Sequence, residues 1–336
     1  MDLREYLDII SSKGVFKLVD DDSLLSGGLK AMEQLDKFIR VIEERSPVLE
    51  EATLRRMNSF ETEISAIDAP RGYLYPGRVG ADKIIPGEEG TDEFTVVSQG
   101  NVLNAQEFVM VVSIDFNTLE DTIEGPDFEQ TVTELMANAA SLDLETVFLR
   151  GDTSLTIPSG NPLLKTLDGW IKKAANKVYG YTHDGASLDF DPNGSDFPID
   201  MFAAMEEAMP KRYLTPREEL RFYVDWETYA AYRDIIAGRE TSLGDEALLG
   251  RGELSYDGIP VRHVPSLDDE TATGLTGKQA LLARPASMVW GVFREITVES
   301  DRRPRERVVE HVLTFRGDCT YSDVNSAVAA LISEVS

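Results

Sequence analysis

The sequence predicts an α+β protein with long extensions outside its packed units. Three observations point there. One strong helical pattern covers 126–150, strand patterns crowd the last third of the chain, and a Gly/Pro-punctuated stretch at 62–113 lies between strand candidates. The 336 residues suffice for two or three compact units, and 42% hydrophobic content supports a sizeable core.

Taken in order, residues 1–61 read as an N-terminal arm. From Ser23 to Glu44 the apolar residues Leu29, Met32, Leu35, Phe38, Ile39 and Ile42 recur at helical spacing, and Pro47 breaks the pattern. A short second helix is expected over Val48 to Phe60. In 62–113, Pro70, Gly72, Pro76, Gly77, Gly80, Pro86, Gly87 and Gly90 punctuate the chain, with strands expected at Phe94–Ser98 and Phe108–Ile114. This reads as a long β-hairpin with a charged tip. Isolated two-stranded hairpins are marginal in water, so a neighbouring subunit is the expected support.

Pro126 suits a helix start, and Asp127 and Glu129 suit the positive end of its dipole. Phe128, Val132, Leu135, Ala139 and Leu142 form an apolar stripe expected to lie across a sheet, and Gly151 ends the helix. Asn161–Ala175 is expected as a loop leading into a short helix, and the Gly-, Asp- and Asn-rich 180–197 marks a boundary. Helices are then expected at Ile199–Met209 and Trp226–Ala237. Strands are expected at Leu220–Val224, Gly258–Val264, Gln279–Ala283, Ser287–Ser300 and Glu306–Arg316. A polar loop is expected at Gly238–Gly252. The spacing of Val324, Ala327, Val328 and Leu331 predicts a terminal helix over Ser322–Ser333.

Composition narrows the function. Sixty Asp and Glu against 33 Lys and Arg give a net charge of −27, which repels nucleic acid and anionic membranes. No run of about 18 apolar residues is present, so no transmembrane helix is expected. The acidic N-terminus has no secretory pattern. Cys319 is the only cysteine, so it makes neither an internal disulfide nor a zinc site alone.

Catalytic patterns are missing. His183, His263 and His311 occur in no metal-binding or nucleophile motif, and His263 reads as a sheet-face residue. Gly250-x-Gly252 and Gly277-Lys278 complete no nucleotide-binding loop. Asp189, Asp191, Asn193, Gly194 and Asp200 copy part of a calcium-loop spacing, but Pro192 and the aspartate at the last position favour an Asx-rich turn. No catalytic, cofactor or metal residue is therefore assigned. Arg302, Arg303, Arg305 and Arg307 surround a basic turn suited to an acidic partner. One candidate partner is the hairpin tip of a neighbouring copy, with Glu88, Glu89, Asp92 and Glu93, beside Arg78 and Lys83.

The order of elements resembles the major capsid proteins of tailed bacteriophages, with the Hong Kong 97-type capsid fold. The stretches that carry the resemblance are DFEQTVTELMANAASLDLETVFLRGD, NPLLKTLDGWIKKA, YVDWETYAAYRDIIAGRETSLGDEALLGRGELSYDGIPVRHVPSL and ALLARPASMVWGVFREITVESDRRPRERVVEHVLTFRGDCTYSDVNSAVAAL. It covers most of 62–336.

The resemblance implies an N-arm at 1–61 and an extended loop at 62–113. It implies a peripheral domain at 114–185 plus 286–318, with a spine helix at 126–150. It also implies an axial domain at 186–285 plus 319–336. The implied role is structural: hexamers and pentamers of an icosahedral virion shell, assembled in the host cytoplasm and enclosing double-stranded DNA without sequence-specific binding. The implied partners are copies of the chain, a portal, a separate scaffolding protein and decoration proteins. Some members join subunits by a Lys–Asn isopeptide bond; Lys83 lies near the hairpin tip, and the sequence assigns it no Asn partner. An encapsulin-type nanocompartment shell shares the fold and is the alternative.

Overall fold

A computed structural model describes residues 46–68, 97–115, 128–155, 162–183, 185–238, 254–268, 277–293, 297–303 and 305–332. A short helix α1 (Pro47–Glu51) leads into β1 (Thr53–Met57), so the expected helix over Val48–Phe60 is corrected. Pro47 sits in its first turn, and the chain turns extended at Ala52. β2 (Glu61–Asp68) and β3 (Val97–Asn104) form an antiparallel ribbon from Glu61↔Asn104 to Asp68↔Val97. The hairpin partner of β2 is therefore β3. The strand expected at Phe108–Ile114 is β4 (Gln106–Asp115), which pairs elsewhere.

α2 (Phe128–Arg150) runs for 23 residues and ends at Gly151. After a 3-10 turn at Pro162–Lys165 come the short helix α3 (Trp170–Lys173) and β5 (Asn176–Tyr179). α4 (Ile199–Ala208), β6 (Arg221–Val224), α5 (Trp226–Ala237), β7 (Ser255–Tyr256), β8 (Ile259–His263) and β9 (Gln279–Ala283) follow. The chain returns through β10 (Met288–Phe293), β11 (Thr297–Arg303), β12 (Val308–Tyr321) and β13 (Ala327–Leu331).

Two sheets organise these elements. The first has five strands and is centred on the 14-residue β12, which pairs antiparallel with β4 over Val308–Gly317. β11 pairs with β12 at Val308–Thr314 and β10 at Gly317–Tyr321, and β1 joins parallel to β10. The second has six strands in the order β5-β13-β9-β6-β8-β7. β5 belongs to it although it precedes the expected boundary at residue 185.

The six-stranded sheet is covered on both faces. Tyr223, Leu281, Ala283, Ala327 and Ala329 join the core shared with α2 and the first sheet. Phe222, Val224, Ala280, Leu282, Val328 and Ala330 join the core built with α4 and α5. A strand buried on both faces needs no polar alternation. That is why Ala327–Leu331 is a strand and not the expected terminal helix: its apolar residues are consecutive, so a helical spacing can be picked from them by chance.

The apolar stripe expected to carry α2 onto its sheet is corrected at Ala139 and Leu142, and the side chains of Phe128, Val132 and Leu135 lie outside the described ones. Met136, Ala140, Leu144, Val147 and Phe148 face the core, whereas Ala139 is exposed and Leu142 is 47% exposed. Phe148 lies in an aromatic group with Trp170 and Trp290, at 6.0 and 6.4 Å between ring centroids. The following turn is closed by glycines: Gly169 N–H donates to the Gly151 carbonyl (2.7 Å). A Cβ on Gly169 would lie 2.7 Å from the Phe148 and Leu149 carbonyl oxygens.

Candidate functional site

The described residues hold no catalytic constellation. The cavity bounded by β4, β12 and α2, about 60 Å³, is lined by eight apolar residues, including Phe108, Met110, Leu144 and Phe315, and by Asp143. Burial pushes the Asp143 carboxyl above its ordinary range, but no base, nucleophile or second polar group lines the cavity with it. Among the described residues no group of three or more His, Cys, Asp or Glu is placed to hold a metal ion. No helix among them is long and apolar enough to cross a membrane.

The calcium-like spacing is used for turns. Asp189 Oδ2 accepts from the Tyr179 N–H (2.8 Å), and Asp191 Oδ1 accepts from the Asn193 N–H (2.9 Å). The histidines are dispersed. His183 stacks on Tyr179 at 4.2 Å. His263, at the end of β8, meets Asp268 Oδ2 at 2.5 Å and packs edge-on to Trp226. His311 is buried in β12. Cys319 is fully buried with its thiol pushed far up by burial, and its Sγ lies 3.5 Å from the Phe148 carbonyl.

The built polar sites join distant parts of the chain. Glu145, fully buried in α2, accepts from the Val48 N–H (3.0 Å) and the Ser266 hydroxyl (2.7 Å). Ser46 donates to the Ser141 carbonyl (3.2 Å) beside it. Burial raises the Glu145 carboxyl pKa, and the two hydrogen bonds hold it partly back. One turn of α1 further on, Glu51 accepts from the Tyr223 hydroxyl (2.6 Å) and pairs with Arg262 (2.7 Å). Burial, then the Glu51 charge, pushes the Tyr223 phenol well up. These two carboxylates fasten α1 to α2 and to the six-stranded sheet.

A third site anchors the ribbon. Asp318 on β12 accepts from the Asn104 N–H (2.7 Å) and pairs with Lys173 (3.2 Å). The Asn101 amide donates to the Tyr321 carbonyl (2.7 Å). The base of β2–β3 is thus fixed to the first sheet.

Of the expected interface residues, Arg78, Lys83, Glu88, Glu89, Asp92 and Glu93 lie outside the described residues. The basic turn joins β11 to β12, as the spacing predicts. Arg302 stands opposite Val309 and Arg303 opposite Val308. Arg303 pairs within the chain with Glu310 (2.8 Å) and Glu306 (3.6 Å), and Arg305 is exposed. Sequence reasoning passed over Glu145, Glu51 and Asp318, because one acid among sixty carries no signal until the fold supplies its partners.

No family model matches the chain. A protein of Bacillus subtilis (strain 168) described as a prophage capsid protein, YqbE, is 28% identical over 315 residues, covering 92% of this chain and 94% of that one. A chain of the satellite phage P4 procapsid including size determination (Sid) protein matches at a TM-score of 0.65 and 13% identity, covering 100% of this chain and 99% of its own. A chain from the capsid of the empty GTA particle matches at 0.57 and 15% identity, over 86% and 90%. One from Mycobacterium phage Adephagia matches at 0.52 and 13%, over 86% and 89%. The chain is thus similar in sequence, over about nine-tenths of its length, to a protein described as a prophage capsid protein, and its fold is similar to that of solved phage capsid chains.

Proposed function

We propose that the chain is the major capsid subunit of a tailed phage or prophage and builds an icosahedral shell of hexamers and pentamers around double-stranded DNA. The observation that carries this reading is the near end-to-end similarity, at 28% identity, to the B. subtilis prophage protein. The fold shared with procapsid and capsid chains supports it. So does the physical character of the chain. Net charge of −27 keeps free subunits apart and a DNA-facing wall from gripping its contents, so association must come from specific contacts. Many weak contacts repeated by symmetry then sum to a stable shell.

The finer layout is the Hong Kong 97-type arrangement. Its parts are an N-arm leading into α1, an extended loop that leaves the body through β2–β3, a peripheral domain built on the five-stranded sheet and α2, and an axial domain built on the six-stranded sheet, with β5 included. The ribbon β2–β3 is the stem of the extended loop. The loop's acidic tip, with Glu88 and Glu89, meets the basic turn at Arg302 and Arg303 of a neighbouring copy. Portal, scaffolding and decoration proteins complete the virion.

Electron microscopy of the purified chain tests the reading. Closed shells, or rings of five and six subunits, are expected. A monomer at every salt concentration, even with a scaffolding protein co-expressed, would overturn it. Shells filled with a co-purifying enzyme in place of nucleic acid would point to a nanocompartment. Charge reversal of Arg302 and Arg303 should block assembly, and reversal of Glu88 and Glu89 in the same chain should restore it.

A further inference from the structure

Among the described residues the five-stranded sheet ends at β1, β11 and β4. Two of these edges are charged. β1 carries Arg55 and Arg56, and β11 carries Glu299, Asp301, Arg302 and Arg303. Charge on an edge strand opposes pairing with another chain. β4 is different. All of its residues from Gln106 to Asp115 pair with β12, and no described residue pairs along its other edge. From Phe108 to Ile114 it carries no charge.

Both faces of this edge are apolar. Phe108, Met110 and Val112 pack on the core, whereas Val109 and Val111 are 59% and 55% exposed on the other face. The cavity between β4, β12 and α2 reaches the edge itself, because Phe108, Val109 and Met110 all line it. Successive strand residues point to opposite faces, so a space that touches three in a row lies beside the strand.

A second copy of β4 fits this edge. Antiparallel pairing centred on Met110 sets Val109 of each copy opposite Val111 of the other, and Phe108 opposite Val112. The exposed valines then cover one another, and the two core faces stay on one side of the sheet. Glu107, paired with Arg316 of its own chain (3.2 Å), meets only Ser113. Neighbouring registers are worse. Centring on a peptide bond turns one copy's core face outward. Centring on Val111 sets Glu107 of each copy against Asp115 of the other, and centring on Val109 sets Glu107 against Val111.

We propose that β4 is an interface between two copies of the chain, joined edge to edge into one continuous sheet by an antiparallel ladder centred on Met110. One patch serves both copies, as a twofold contact requires. This goes beyond the shell reading and stands without it, since two copies can pair whether or not a shell closes.

A single strand edge is a small interface, so covalent trapping is the suitable assay. A full-length Val109→Cys chain is co-expressed with a full-length Val111→Cys chain, oxidised under native conditions and run on a non-reducing denaturing gel. Residues opposite each other in an antiparallel ladder have Cα atoms about 4.5–5.5 Å apart, within reach of a disulfide. Both positions are exposed, so the fold is kept, and Cys319 is buried and stays out of the reaction. At least about tenfold more covalent dimer is expected from the mixture than from either variant alone. The gel reads dimers from free subunits and from shells alike, so its outcome is separate from that of the shell reading. Val109→Cys mixed with Ser113→Cys, also exposed, should stay monomeric, as should Val111→Cys alone. Dimers from either of these in place of the first mixture would reveal the register centred on Val111 and overturn the proposal. No dimer from any of them would show that the edge does not pair with a second copy, and would overturn it as well.

Discussion

Replacing Glu145 with alanine deletes both acceptors of the clasp that joins α1 to α2. The Val48 N–H and the Ser266 hydroxyl are then left without their carboxylate partner inside the core. Each buried donor left unsatisfied costs about 1–3 kcal/mol, so the pair costs about 2–6 kcal/mol before any relief. The relief comes from no longer burying a carboxylate, which burial holds partly toward its protonated form. The expected net loss is about 2–4 kcal/mol in urea unfolding of the unassembled subunit.

Glutamine separates the two contributions. It keeps one acceptor oxygen and removes the charge, so Glu145→Gln should lose about 1 kcal/mol or less at neutral pH. The pH dependence has a definite sign. The folded pKa lies above the ordinary glutamate value of 4.5, so the folded state holds the proton more tightly than the unfolded chain. The stability from this group is fully present below 4.5 and is lost as pH rises through the raised folded value. Relative to wild type, Glu145→Gln should therefore gain stability as pH rises from about 4.5 toward neutrality. An alanine variant as stable as wild type would refute the clasp. A glutamine variant that loses ground as pH rises would refute the burial argument.

Three further outcomes are expected. Gly169→Ala would drive a Cβ to 2.7 Å from two backbone carbonyl oxygens, so the urea midpoint should fall by the equivalent of about 2–3 kcal/mol. Tyr223→Phe removes the hydrogen bond to Glu51 and should cost about 1–2 kcal/mol by the same assay, with an unchanged far-ultraviolet circular dichroism spectrum. Cys319 should be inert to a thiol reagent at pH 8 in the folded chain and react at the rate of a free cysteine in urea, because burial disfavours its thiolate; fast labelling of the native chain would contradict the packing around it.

Elements bounded by strong local signals, whether buried on one face or on both, were legible in the sequence. Trp226–Ala237 forms a helix over the expected residues, as Gln279–Ala283 forms the expected strand, and the basic turn lies between two long strands. Elements decided by tertiary packing were not. Ala327–Leu331 is apolar throughout because both its faces are covered, so period gives no answer. In α2 two residues assigned to the core, Ala139 and Leu142, are exposed, since spacing alone cannot rank apolar positions around a helix. The clasps were invisible for another reason. Glu145 meets partners 97 and 121 positions away, and local sequence says nothing about such pairs.

The central place of β12 also has a consequence for the order of synthesis. β1 and β4 leave the ribosome early, yet their partners β10 and β12 lie beyond residue 287. From Met57 to Met288 the chain must grow by 231 residues, which takes about 12–46 s at bacterial or eukaryotic elongation rates. Phe108 and Met110 on β4 likewise wait for β12, whose first residue, Val308, follows Asp115 at the end of β4 by 193 positions. Closure of the first sheet is therefore a late event set by loop closure across most of the chain. The nascent chain is a natural client for a holding chaperone until its last fifty residues emerge.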